Sequence, residues 1–94
     1  STLAWGQARP GSLRGTVKDK KSGEELVQAI ITVKSGQFKV TSGVSDFDGN
    51  YNINPIQPGT YTVIYRPKSA QQTAYSKSQT FTVSSGATAI VNLQ

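Results

Sequence analysis

The chain of 94 residues contains no cysteine, methionine or histidine. Thiolate, thioether and imidazole metal ligands are therefore absent, and so is every catalytic scheme in which His or Cys acts as base or nucleophile. Apolar runs are also short, and none approaches the ~20 residues that a membrane-spanning helix needs. The sequence thus predicts no direct membrane span and excludes the commonest enzyme mechanisms. No cofactor is expected.

Acidic residues are scarce, because five Asp and Glu stand against ten Lys and Arg, a formal net charge of +5. Paired carboxylates that act as acid and base need a buried environment that shifts their pKa values, and solvated turns do not provide one. We therefore expect no catalytic residues. The acids that all fall in predicted turns are Asp19, Glu24, Glu25, Asp46 and Asp48.

Basic residues are concentrated in the first quarter of the chain. If Leu13 and Val17 face a core, the two-residue period of a strand places Arg14 and Lys18 on its solvent side. This pattern favours a solvated strand face, with a patch for an anionic partner as the alternative. Nucleic-acid-binding proteins usually interleave such charge with exposed aromatic residues, so no nucleic acid is expected as a partner.

Apolar and polar residues alternate with a two-residue period in segments that recur at roughly 8–12-residue spacing between turn signals. No helical periodicity lasts for more than a turn. In the third segment, Phe38, Val40 and Val44 share one face. The pattern predicts an all-β fold, a seven-strand, two-sheet Greek-key sandwich. The predicted strands cover residues 13–18, 28–34, 38–45, 50–53, 60–66, 76–83 and 87–93.

The N-terminal residues 1–10 are expected to form a flexible segment ahead of a domain at residues 11–94. Gly6 and Ala8 have the −3 and −1 spacing of a signal-peptidase site. The first eight residues are therefore, as an alternative, the remnant of a secretion signal. That alternative favours an extracytoplasmic location.

The stretch SDFDGNYNI, which begins at residue 45, raises the question of a calcium site. Asp46, Asp48 and Asn50 occupy the first three ligand positions of a calcium-binding loop. Tyr51 and Gln57, however, stand where such a loop needs glycine and a bidentate glutamate. Asp46 and Asp48 therefore remain weak candidates for a metal site.

A hairpin turn explains every residue of the same stretch. Gly49 can adopt a positive φ, and the carboxylates of Asp46 and Asp48 can accept hydrogen bonds from backbone N–H groups across the turn. Tyr51 and Ile53 then resume the alternation toward the core. We favour the turn over the metal site.

Two aromatic residues, Phe47 and Tyr75, fall in predicted loops. There an aromatic ring can stack on a sugar or dock in a partner protein. With Arg14 and Lys18, they are the residues that we predict to contact a ligand or partner. Four other aromatic residues occupy inward strand positions and are assigned to the core: Tyr51, Tyr61, Tyr65 and Phe81.

Two ordered segments resemble a known family. GTVKDKKSGEELVQAIITV at 15–33, followed by SDFDGNYNINPIQPGTYTVIY at 45–65, resembles the carboxypeptidase regulatory-like domains, which share the transthyretin-like (prealbumin-like) sandwich. The resemblance covers residues 12–93, and it departs from the family pattern around 25–28, where such domains often carry Pro or Gly. The matching positions are Gly15, Val17, Asp19, Gly23, Leu26, Ala29 and Val33, and then Asp46, Asp48, Gly49, Tyr51, Ile53, Pro58, Gly59, Tyr61 and Val63.

The resemblance implies a non-catalytic accessory or interaction module of a larger bacterial cell-envelope or secreted protein, such as a TonB-dependent transporter, a peptidase or an adhesin. It implies a location in the periplasm or outer membrane, or secretion, and another envelope domain or protein as partner. The alternative is a stand-alone envelope domain that binds glycan or peptidoglycan through Phe47, Tyr75 and the basic strand face with Arg14 and Lys18. Transthyretin-like hydrolases of 5-hydroxyisourate depend on histidines, which this chain lacks.

Overall fold

A computed structural model describes residues 8–68 and 76–94 of the chain. Within these residues the secondary structure consists of strands, without any helix. The seven strands are β1 (Gly11–Thr16), β2 (Ile30–Ser35), β3 (Phe38–Val44), β4 (Asn50–Ile56), β5 (Gly59–Arg66), β6 (Gln79–Val83) and β7 (Thr88–Ile90).

The strands form two sheets. One sheet has the order β4-β1-β7, and the other has the order β3-β2-β5-β6. Every neighbouring pair is antiparallel except β1 and β7, which run parallel. The chain passes between the sheets after β1, β3, β4 and β6. This arrangement is the two-sheet sandwich that the sequence predicts.

The core lies between the two sheets and follows the predicted alternation. Leu13 and Val17 are fully buried, whereas Arg14 and Lys18 are exposed. Tyr61 is half-buried and its ring packs against Phe81 at a centroid distance of 5.7 Å. The buried apolar residues are Leu13, Val17, Ala29, Ile31, Val33, Tyr51, Ile53, Ile56, Val63, Tyr65, Phe81, Val83 and Leu93.

The apolar residues of β3 face away from this core. Phe38 is 78% exposed and Val44 is 57% exposed. The inward side of β3 instead carries Gly43, where a Cβ atom would lie 2.8 Å from Cγ1 of Ile53. Ile53 of the opposite sheet fills the space beside Gly43. The large apolar side chains of β3 therefore do not contribute to the core.

The turn that begins at Asp46 does not join two paired strands. It was predicted as the corner of a hairpin, but β3 pairs with β2 and β4 pairs with β1. The turn thus carries the chain from one sheet to the other. The strand after it also continues past its predicted end, through Pro55 to Ile56. Pro55 is tolerated because β4 is an edge strand and the register shift between Gly11 and Leu13 leaves this proline without a paired residue.

Three strands of one sheet are locked together at Gly15. In the register of β1 and β4, Gly15 lies opposite Tyr51. The buried ring of Tyr51 reaches across this glycine, and its hydroxyl donates a hydrogen bond of 2.6 Å to the backbone oxygen of Val91, just beyond β7. A Cβ atom at position 15 would overlap that same oxygen. Glycine is therefore required for the Tyr51–Val91 contact, and the buried hydroxyl has a partner as buried polar groups require.

Replacing Tyr51 by Phe is expected to change how stability depends on pH. Burial raises the pKa of the Tyr51 hydroxyl above its ordinary value of 10.0. Because the unfolded chain ionises this group at lower pH than the folded chain, the stability it supplies is complete below about pH 10 and falls at higher pH. Urea unfolding should thus show a steeper loss of unfolding free energy from about pH 9 to pH 11 in the wild type than in Tyr51→Phe. Parallel pH curves for the two proteins would contradict this assignment.

Candidate functional site

The Asp46 carboxylate organises the turn that precedes β4. Its Oδ1 accepts hydrogen bonds of 2.9 Å from the backbone N–H groups of both Asp48 and Asn50. The backbone closes the same turn, because the N–H of Gly49 donates to the oxygen of Asp46 over 3.0 Å. Gly49 has a φ of 77°, a left-handed conformation that glycine adopts at little cost. Asp46 thus acts as the turn-forming side chain that the sequence predicts.

A buried serine fixes the start of this turn. Ser45 is 2% exposed, and its hydroxyl accepts from the N–H of Ala29 at 2.8 Å and donates to the oxygen of Leu26 at 2.5 Å. In the sequence pattern Ser45 is only the last residue of the predicted strand at 38–45. A serine next to a turn is known to bond to nearby backbone groups, but here the partners are 16 and 19 residues away. The local sequence therefore gave no sign of them.

The metal hypothesis for Asp46 and Asp48 rests on these two carboxylates only. Across residues 8–68 and 76–94, no three His, Cys, Asp or Glu side chains gather in a group that could hold a metal ion. Asp48 is exposed and takes part in the turn through its backbone N–H. Two carboxylates fall short of the six to eight oxygen ligands that calcium takes in proteins, so the amide oxygen of Asn50, backbone carbonyl oxygens and water would have to supply the rest.

A groove crosses the outer face of the β4-β1-β7 sheet and has a volume of about 570 Å³. This size lies within the usual range of small-ligand sites, roughly 300–1,000 Å³. The register of the sheet creates it, since Arg14 of β1 pairs with Asn52 of β4 on one side and with Ile90 of β7 on the other. The groove is lined by Arg14, Gly15, Thr16, Val44, Asp46, Asn50, Tyr51, Asn52 and Ile90.

The chemistry of the groove is amphipathic. Asn50 and Asn52 are exposed and offer both donors and acceptors, and Arg14 adds a guanidinium with five N–H donors. Ile90 is 63% exposed and Val44 57% exposed, so aliphatic surface lies beside these polar groups. The groove therefore suits a ligand with both polar and aliphatic surface better than a purely apolar one.

The four residues predicted to contact a ligand fall in different places. Arg14 lines the groove, and Phe47, which is 82% exposed, follows the groove residue Asp46 in the turn. Lys18 is exposed on the same side of the chain as Arg14 but does not line the groove. Tyr75 lies outside the described residues. The register adds Asn52 and Ile90, which the sequence pattern alone does not mark as site residues, and it places beside them Asn50, which the sequence pattern marks only as a calcium-loop position.

Tyr65 lies on β5, in the other sheet, and its hydrogen bonds are structural. Its hydroxyl donates to the backbone oxygen of Lys18 over 3.4 Å, and its backbone N–H donates to the hydroxyl oxygen of Ser76. Burial, and then the negative charge of Asp19, raise the pKa of this tyrosine. A raised pKa keeps the hydroxyl protonated, which suits a hydrogen-bond donor and not a base.

No helix that is long and apolar enough to cross a membrane occurs in the described part of the chain. A family model described as the carboxypeptidase regulatory-like domain matches residues 12–94. Among curated proteins, no sequence matches the chain significantly. The family model thus agrees with the resemblance seen in the sequence and extends it to the last residue.

The solved structures similar to this chain include domains of three different proteins. The Bacillus anthracis TIE protein matches 90% of the chain at 23% identity and a TM-score of 0.68. A Streptococcal ancillary pilin matches 93% at 16% identity and a TM-score of 0.58. (S)-allantoin synthase matches 90% at 15% identity and a TM-score of 0.54. The chain spans 16%, 30% and 41% of these proteins, respectively, and identities this low indicate a shared fold only.

Replacing Asp46 by Ala is expected to destabilise the domain by about 1–2 kcal/mol, because two backbone N–H groups lose their acceptor. Asp48→Ala is the matched control and should change stability by less than about 0.5 kcal/mol, since its exposed carboxylate is not part of the turn's hydrogen bonds. Urea denaturation at neutral pH measures both. Equal losses in the two variants would contradict the role given to Asp46.

Adding calcium to the same proteins distinguishes a simple turn from a metal site. If the stretch is only a turn, millimolar calcium should leave the melting temperature of the wild type unchanged. A metal site would raise the melting temperature by mass action, and both Asp46→Ala and Asp48→Ala would remove the increase.

Proposed function

Because the chain belongs to the carboxypeptidase regulatory-like domain family, we propose that it is a non-catalytic accessory or interaction module of a larger extracytoplasmic protein. The family match over residues 12–94 carries this proposal. The larger protein is a transporter, peptidase or adhesin of the cell envelope, or a secreted enzyme, and the partner of the module is another envelope domain or protein. A Streptococcal ancillary pilin contains a domain of similar fold, so the fold is compatible with a place outside the cytoplasm.

The chemistry of the chain supports a non-catalytic role. Histidine and cysteine are absent, and Asp46, the carboxylate with the most hydrogen bonds, holds a turn. One similar structure is an enzyme by name, (S)-allantoin synthase, but that likeness is one of fold at 15% identity. Function on a shared fold has to come from a site, and the groove offers binding groups without a nucleophile and its base.

Detection of the native protein tests this proposal. An antibody raised against residues 8–94 should recognise a protein much larger than the 94-residue chain, in the envelope or medium fraction of the source cells. The physical reason is that a module is a covalent part of its parent protein, so the mass and the compartment are those of the parent. A band of the size of the isolated chain in the cytosolic fraction would contradict the proposal.

The groove favours a second candidate function, the binding of envelope glycan or peptidoglycan. Arg14, Asn50 and Asn52 offer hydrogen bonds side by side, and Phe47 stands exposed at the adjoining turn. Exposed aromatic rings stack on sugar faces, and a guanidinium pairs with the carboxylates that peptidoglycan fragments carry. This function is compatible with a module and differs from it in having a ligand of its own.

Titration with soluble peptidoglycan fragments tests the second candidate. Backbone amide shifts are expected at Arg14, Asn50 and Asn52, and Arg14→Ala should weaken binding about tenfold, the loss of one charge-assisted hydrogen bond. Lys39→Ala is the matched control, because it removes an exposed cation from β3 in the other sheet and should leave the affinity unchanged. An unchanged spectrum at millimolar fragment would remove this function.

A further inference from the structure

The first and last strands run side by side in the same direction. Ser12 lies opposite Thr88, and Arg14 lies opposite Ile90. Beyond the strands, the N–H of Gly86 donates to the oxygen of Arg9, and at the other end the N–H of Lys18 donates to the oxygen of Leu93. The chain therefore enters this pair at one end of the sheet and leaves it at the opposite end, about 30 Å away at ~3.3 Å per residue.

Hydrogen bonds join the two segments along this whole length. Backbone bonds link Ser12 to Ala87 at 3.0 Å, Arg14 to Val91 at 2.9 Å and Thr16 to Leu93 at 2.7 Å. Side chains add to them, because Asn92 Oδ1 accepts from both the N–H and the hydroxyl of Thr16, at 3.1 and 3.2 Å. The two segments are thus connected by a continuous series of bonds and not by a single contact.

The close packing of this pair limits the access of water to it. Gly11 and Gly15 have no side chains, and a Cβ atom at either position would overlap the backbone oxygen of Ala87 or Val91. Tyr51 secures the same region from the β4 side through its hydrogen bond to Val91. The last segment is therefore held by two strands of the sheet, although only β1 is its neighbour.

The direction of the two strands determines how tension acts on them. A force applied where the chain enters and where it leaves acts along the strands, so the hydrogen bonds between them are loaded together. A force applied to neighbouring ends of the same pair separates the strands one bond at a time. Simultaneous loading resists far more force, because no single bond can break before the others are strained.

We propose that the β1–β7 pair is a force-bearing clamp that keeps this domain folded when its chain is under tension. The proposal rests on the proposed function in one respect, since tension reaches both ends only in a module of a longer chain. It adds a mechanical role to the module, which is to transmit tension along the longer chain while staying folded. The geometry that carries it is the parallel pairing of the segments 9–18 and 86–93.

Single-molecule force spectroscopy in two pulling directions tests the clamp. The chain has no cysteine, so handles can be attached to introduced cysteines alone. Arg9→Cys with Gln94→Cys loads the pair along its strands, whereas Lys20→Cys with Gln94→Cys pulls apart its neighbouring ends. All three positions are exposed. We expect a severalfold higher unfolding force in the first direction, and equal forces in both directions would overturn the proposal.

A substitution within the pair provides an independent measurement. Asn92→Ala removes the two bonds to Thr16 and should lower the unfolding force along the strands, with little effect on the force in the other direction. Asn52→Ala, at an exposed position of β4 outside the pair, is the matched control and should change neither force. A decrease of the same size with both substitutions would contradict the clamp.

The outcomes for the clamp and for the module are distinguishable. Equal unfolding forces, together with detection of a large parent protein in the envelope, would reject the clamp and leave the module in place. A strong directional difference in a chain found alone in the cytosol would keep the mechanical property of the β1–β7 pair but reject its use as a force-bearing clamp, because no tension would act on it.

Discussion

Gly11 and Gly15 have no side chains, and the backbone of the last segment occupies the space that their Cβ atoms would need. This close approach completes the three-strand sheet, since β1 is otherwise paired only with β4. It also sets the position of Val91, to which the Tyr51 hydroxyl donates across Gly15. Two glycines thus determine how the first, middle and last parts of the chain meet, and the core residue Leu93 is placed by the same contact.

The buried face of a strand could be predicted from the sequence where large apolar residues alternate with charged or polar ones. Leu13 on β1 and Val17 just after its end are fully buried as predicted, and Val63, between the inward-assigned Tyr61 and Tyr65 of β5, is also fully buried. The face of β3 could not be decided in this way, because a two-residue period shows that Phe38 and Val44 share a side but not which side. That choice depends on Gly43 and its contact with Ile53 from the other sheet, a contact that no local pattern encodes.

Pairing between distant segments also explains what was missed at the candidate site. Arg14 was expected on the solvent side from alternation alone. Asn52 and Ile90 became its neighbours only through the register of β1 with β4 and with β7. The Asp46 turn could be predicted because its bonds span two and four residues, whereas the bonds of Ser45 span 16 and 19. Hydrogen bonds between residues close in sequence could thus be predicted, whereas partners far apart in sequence could not.

The groove and the proposed clamp lie on the same sheet, so a ligand in the groove and a load on the clamp would act on shared strands. Arg14 belongs to β1, Asn52 to β4 and Ile90 to β7, and a ligand that contacts all three connects the strands across the sheet. A molecule that binds only the folded state stabilises it by mass action. Because separation of β1 from β7 would also divide the groove, bound ligand opposes that separation. The two proposed roles are therefore coupled physically, through the register that places Arg14 beside Ile90.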